Sequence, residues 1–213
     1  MLLSEEKRAE ALRILSELYP NPKPELHFTS PYELLIAVML SAQCTDKQVN
    51  KVTAELFKVA NTPEQMLALG EDRLMDMIHS CGFFRMKGKH ILETSRILAE
   101  KYGGEVPADR DTLTELPGVG RKTANVVVSN AFHIPAIAVD THVFRVSNRI
   151  GLAQAKTVEK TEEQLMEHIP EKDWTDAHHW IIFHGRRVCA AQRPKCAECA
   201  LNRVCDFYTR KDS

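Results

Sequence analysis

Leu113-Thr114-Glu115-Leu116-Pro117-Gly118-Val119-Gly120-Arg121-Lys122-Thr123-Ala124-Asn125-Val126-Val127-Val128 is the stretch on which the fold turns. A short helix is expected to end at about Leu116, residues 117–120 to turn tightly, and a second helix to start near Arg121. Glycines at 118 and 120 allow positive φ and let the backbone approach a ligand closely. The helix that follows offers unpaired N–H groups in its first turn, which suits an anion. A DNA phosphate fits better than a nucleotide, because Gly120-Arg121-Lys122-Thr123 lacks the Gly-Lys-Ser/Thr ending of a nucleotide phosphate loop. Lys122 falls in that first turn. The positive end of the helix dipole, the neighbouring Arg121 and partial burial would all disfavour its ammonium form. An amine so placed is a usable nucleophile for Schiff-base chemistry. Taken by itself, Lys122 reads as a plain phosphate-binding lysine.

Outward from the hairpin, helix signals recur along the chain. Residues 5–18 put Ala11, Leu12, Leu15 and Leu18 on one stripe. Ser30-Pro31-Tyr32-Glu33 is a capping box with proline at the first helical position, and it opens the nearly all-apolar run Leu34–Ala42. Thr62-Pro63-Glu64-Gln65 repeats the device. Ile91, Thr94, Ser95, Leu98 and Ala99 form a helix face that Gly103-Gly104 stops. Thr112 to Glu115 caps a short helix, and Thr157 opens an amphipathic one that ends before Pro170. Only Val126-Val127-Val128 and Ile137-Ala138-Val139 are β-branched runs, and neither alternates. The expected class is all-α. Val139-Asp140-Thr141-His142-Val143 places a carboxylate ahead of a helix carrying Arg145 and Arg149. Asp140 reads as an N-cap, or as a carboxylate presented near Lys122, with His142 in a supporting role at most.

Cys189, Cys196, Cys199 and Cys205 follow the spacing C-x6-C-x2-C-x5-C. In a reducing compartment such a cluster suits a metal centre rather than disulfides. One C-x-x-C flanked by two single cysteines fits an iron–sulfur cubane better than the paired knuckles of zinc. Cys44 and Cys81 read as small core residues, and His178, His179 and His184 as core or surface residues beside Trp180 and Phe183.

Of 213 residues, 44% are hydrophobic and 27% charged, and the net charge is -1. These values are ordinary for a soluble protein. The acidic start excludes a secretion signal, and no apolar run reaches the ~20 residues of a membrane span. A cytoplasmic, nucleoid-associated protein is expected. Residues 185–213 carry seven basic groups, Lys211 included, against three acidic ones. That local excess can hold phosphates, since charges beyond ~10 Å are screened. A solvated basic tail is the competing reading.

Together, Leu116 to Ala124, Val139 to Val143, Ser41-Ala42-Gln43-Cys44-Thr45-Asp46 and the terminal cysteine spacing resemble the endonuclease III family of helix-hairpin-helix glycosylases. The resemblance spans nearly the whole chain. It implies two helical domains with a DNA-binding cleft between them: residues 23–133, holding the hairpin motif at about 112–132, and residues 1–22 with 134–213, holding a [4Fe-4S] cluster on Cys189, Cys196, Cys199 and Cys205. It implies Lys122 as nucleophile and Asp140 as catalytic carboxylate, in a base-excision-repair glycosylase that removes oxidised pyrimidines and nicks 3′ to the abasic site. The partner is duplex DNA with damaged bases or abasic sites, and the protein is expected to be a monomer. Gly118, Gly120 and Arg121 would bind phosphate. Gln43 and Phe83 resemble the residues that fill the gap opposite the orphaned base, although the family commonly has an aliphatic residue near Phe83, and Phe83 and Phe84 also read as core aromatics. Arg193 and Lys195, bracketed by cluster ligands, would be offered to phosphates. A monofunctional adenine-type glycosylase of the same superfamily typically lacks the lysine. A non-enzymatic hairpin module with structural zinc is the alternative from another class.

Overall fold

The computed structural model describes residues 1–210. These are all-helical, and no strand occurs among them. Lys211 and Asp212 of the basic tail lie outside the described residues. The chain forms two compact units, Pro24–Ile134, and Met1–Lys23 with Pro135–Ser213.

The continuous unit is built on α2 (Pro31–Ser41), whose residues 32–40 are all buried. The sequence starts this helix locally. The Ser30 side chain accepts from the Glu33 N–H at 3.1 Å, and Pro31 occupies the first turn. Glu33 reaches back one residue beyond the cap, taking the Thr29 N–H at 2.6 Å and hydroxyl at 2.8 Å. A helix buried on every side needs other helices around it. They are α3 (Asp46–Leu56), α6 (Phe84–Tyr102) and α8 (Arg121–Ala131). The short α4 (Pro63–Leu69) and α5 (Glu71–Ile78) cover α6, and α7 (Arg110–Thr114) packs on α8. Gly103, at φ +61, ends α6 in the left-handed conformation that glycine adopts readily.

The second unit joins α1 (Glu5–Leu18) to α9 (Thr141–Ile150), α10 (Val158–His168), a 3-10 turn at Glu171–Asp173, α11 (Trp174–Arg187) and the short α12 (Asp206–Thr209). Its core includes Leu15, Val143, Val146, Ile150, Leu165 and Ile181, with α11 packed against both α9 and α1. Both β-branched runs escape strand structure. Residues 126–128 lie in α8, while Ile137-Ala138-Val139 is a buried segment without regular structure, whose Ala138 carbonyl is 2.7 Å from His178 Nδ1.

One expected start is corrected. The helix before the hairpin begins at Arg110, not at Thr112, and Asp109 is its cap. Asp109 Oδ1 accepts the Thr112 N–H at 2.8 Å and its hydroxyl at 2.6 Å. A carboxylate three residues upstream thus caps the helix first and takes Thr112 into its first turn.

Candidate functional site

The hairpin turns through residues 115–120, between α7 and α8. Leu116 and Val119 are buried and anchor it. The Thr94 hydroxyl donates to the Pro117 carbonyl at 2.9 Å, fixing the turn to α6. Gly118 stands at φ +75, and a Cβ there would come within 2.7 Å of His90 Nδ1. Glycine is therefore required at 118 on two counts. Gly120 is different. Its φ is −87, so of the two hairpin glycines Gly118 alone uses the positive φ that glycine allows. Gly120 caps α8 with no side-chain hydrogen bond, and a Cβ there would meet nothing within 4 Å. The first turn of an eleven-residue helix is thus open to an anion.

Arg121 and Lys122 are both exposed on that first turn. The partial burial that would help lower its charge is absent: Lys122 is exposed, as are Gly120 and Arg121 before it. What the local fold does give Lys122 is the positive end of α8.

Asp140 caps α9. Its Oδ1 accepts the N–H groups of His142 and Val143, each at 2.8 Å, and its Oδ2 lies 3.3 Å from His142 Nδ1. The carboxylate remains 21% exposed. Capping and presentation coexist, since two backbone donors occupy one oxygen and leave the other directed to a side chain.

Gln43 and Phe83 line one open hollow, together with Met39, Lys87, His90 and Gly118. Both have left-handed backbone, at φ +53 and +58. Non-glycine residues pay about 1 kcal/mol or more for that conformation, and it concentrates at functional positions. Phe83 is 60% exposed, so it is not a core aromatic. The two turns touch, since a Cβ on Gly82 would lie 3.2 Å from the Gln43 carbonyl. Lys87 is 7% exposed and donates to the Leu40 carbonyl at 2.8 Å, tying α6 to the end of α2. Burial lowers its pKa from the ordinary lysine value. Sequence reasoning missed Lys87. The signal was there: positions 87, 91, 94 and 98 form one buried stripe, and a lysine on such a stripe needs an internal acceptor.

Cys189, Cys196, Cys199 and Cys205 line a common cavity with Ile150 and Leu201. Burial pushes the Cys199 and Cys205 thiols up, and the other sulfurs of the set add to this at both. The loop is held by arginines of α9. Arg145 donates to the carbonyls of Gly185 and Cys189 at 3.2 Å. Arg149 donates to Ala190 at 2.7 Å and Ala191 at 3.0 Å, and its Nη1 is 3.6 Å from Cys189 Sγ. This scaffolding role is not visible in the sequence, where both arginines are merely basic residues after Asp140. Arg193, at φ +49, and Lys195 are exposed on the same loop.

No helix among the described residues is long and apolar enough to cross a membrane. Residues 36–171 match the HhH-GPD superfamily of base excision DNA repair proteins. The chain is 50% identical over 210 residues to the endonuclease III of Escherichia coli K12, covering 99% of this chain and 100% of that one. It is 51% identical over 205 residues to the endonuclease III of Haemophilus influenzae, covering 96% and 97%. A solved structure of a trapped covalent endonuclease III–DNA intermediate, an estranged-adenine complex, is similar over 100% of both chains, with TM-score 0.94 and 46% identity.

Proposed function

The chain belongs to the endonuclease III family of HhH-GPD base-excision-repair enzymes, which are DNA glycosylases with AP lyase activity, and on that premise we propose that it removes oxidised pyrimidines from duplex DNA with Lys122 as nucleophile and Asp140 as its carboxylate. The observation that carries the reading is an exposed lysine on the first turn of α8, directly behind an open glycine hairpin, in a chain whose relative is trapped as a covalent DNA intermediate.

The chemistry follows. The damaged nucleotide must leave the stack before its C1′ can be attacked. Phosphates flanking it bind the backbone N–H groups at Gly118 and Gly120 and the Arg121 side chain, while Gln43 and Phe83 occupy the vacated space. Their shared hollow and left-handed turns support that assignment. Asp140 stabilises the cationic sugar and helps take the proton from the Lys122 ammonium. The amine bonds to C1′ as the C1′–N bond to the base breaks, and the sugar ring opens to an imine. The imine acidifies C2′. Loss of a C2′ proton then expels the 3′ phosphate and cuts the strand.

The four cysteines fit a [4Fe-4S] cluster. Around one zinc ion with 2.3 Å bonds, four sulfurs would stand ~3.8 Å apart. Among the described residues no three His, Cys, Asp or Glu side chains form a single-ion site, while all four cysteines line one cavity. A polynuclear cluster, with longer spans between its ligands, would suit such a space. When bound it would supply a rigid anchor for the loop carrying Arg193 and Lys195, which would contact phosphates, and Arg149 beside Cys189 would offset the negative charge of the thiolates.

Duplexes that each hold one defined lesion test the reading. Oxidised pyrimidines are expected to be released and the strand cut 3′ to the site, and Lys122→Ala to lose cleavage of both lesion and abasic duplexes. Base release without strand cutting by the parental protein would instead favour a monofunctional enzyme.

A further inference from the structure

His184, near the end of α11, is 1% exposed. Its Nδ1 lies 3.2 Å from the Tyr19 hydroxyl, and its Nε2 lies 3.4 Å from Cys199 Sγ. Tyr19 closes α1, with its backbone N–H on the Leu15 carbonyl at 3.1 Å. Its ring meets the imidazole edge-on, with centroids 6.2 Å apart, and lies under the Arg187 guanidinium at 5.5 Å. Burial raises the Tyr19 hydroxyl above its ordinary pKa, so it stays protonated and able to donate.

The direction of both hydrogen bonds follows from Cys199. A free thiol could donate to Nε2, but a thiolate bound to iron has no proton. Nε2 must then carry the hydrogen. In a buried neutral ring that leaves Nδ1 bare, and the Tyr19 hydroxyl is the donor beside it.

We infer that Tyr19 and His184 form a positioning relay for the cluster, in which the Tyr19 O–H donates to His184 Nδ1 and the His184 Nε2–H donates to the Cys199 thiolate. The inference rests on the iron–sulfur reading of the cysteine centre. No covalent bond changes. Hydrogen bonds to ligand sulfurs favour the more reduced cluster, and the partner behind a histidine fixes its tautomer and orientation. The relay also links the end of α1 to a ligand 180 residues further along the chain.

The test uses the purified holoprotein with His184→Phe, His184→Gln, Tyr19→Phe and the Tyr19→Phe/His184→Phe double variant. Iron content, midpoint potential and the rate of iron loss to a chelator are measured for each. At a fixed applied potential, His184→Phe is expected to show a reduced-to-oxidised ratio about threefold to tenfold below the parent, the scale of one hydrogen bond. Tyr19→Phe shifts the same way by less and preserves packing, so it carries the test even if His184→Phe fails to load iron. The double variant matches His184→Phe, because Tyr19 acts through His184. His184→Gln, which keeps an N–H donor, recovers part of the ratio. Iron-loaded variants with the parental potential overturn the relay alone, as does a double variant whose shifts simply add. A parental protein without iron overturns the cluster reading and the relay with it.

Discussion

At position 118 a side chain would face two obstacles, a left-handed backbone and the ring of His90. At position 120 it would face neither. Gly118→Ala is therefore expected to lower folding stability by about 1–3 kcal/mol. Gly120→Ala costs under about 1 kcal/mol, the usual range for a cap, yet weakens DNA binding because its methyl stands before the first turn of α8. Urea melts and binding titrations of the two variants separate structural need from contact need. His179 makes folding stability depend on pH. Burial, aided by Arg186, lowers its pKa to about 4 from an ordinary 6.5. Between those values the unfolded chain binds a proton that the folded one refuses. Stability from this group is full above pH 6.5 and is lost as pH falls toward 4. From pH 7 to pH 5 the loss is about 2 kcal/mol. Urea midpoints at both pH values should fall less for His179→Phe than for the parent; equal falls contradict the assignment.

Helix starts carry much of the chemistry here, and α9 shows how one residue serves two purposes. Asp140 holds two backbone N–H groups and still presents part of its carboxylate. Asparagine caps as well as aspartate, so Asp140→Asn is expected to keep stability within about 0.5 kcal/mol, whereas Asp140→Ala loses about 1 kcal/mol. Both should cut lyase turnover by about 10²-fold or more, the span of a lost proton-transfer group. Full turnover in Asp140→Asn would reduce the residue to its capping role. The starts of α2, α4 and α10 were legible because Ser30, Thr62 and Thr157 each cap their own helix. The start of α7 was not, since Asp109 accepts the Thr112 N–H and so caps the helix three residues earlier, and sequence spacing does not rank two capping residues one turn apart. The gathering of the four cysteines at one cavity was suggested by their spacing, but Arg145 and Arg149 reach their loop across about forty residues, and such long-range bonds leave no periodic trace. Gln43 and Phe83 entered through family resemblance. Their left-handed backbones became visible only in the structure, because neither is a residue type that announces positive φ.

Across the whole molecule, phosphate binding and covalent chemistry make separate demands. Replacing Arg193 and Lys195 together with alanine is expected to flatten the slope of log binding constant against log salt by about 2, the share of two phosphate contacts. The chemical step should survive once DNA is saturating. An unchanged slope would remove the cluster loop from the DNA interface. The most direct measurement concerns the amine itself. Borohydride reduces an imine to a stable amine, so a duplex with one oxidised pyrimidine should be locked to the parental protein when the reagent is present, and peptide mapping should place the adduct on Lys122. Lys122→Ala should give no adduct. An adduct on another residue, or one formed by Lys122→Ala at the parental yield, would contradict the account.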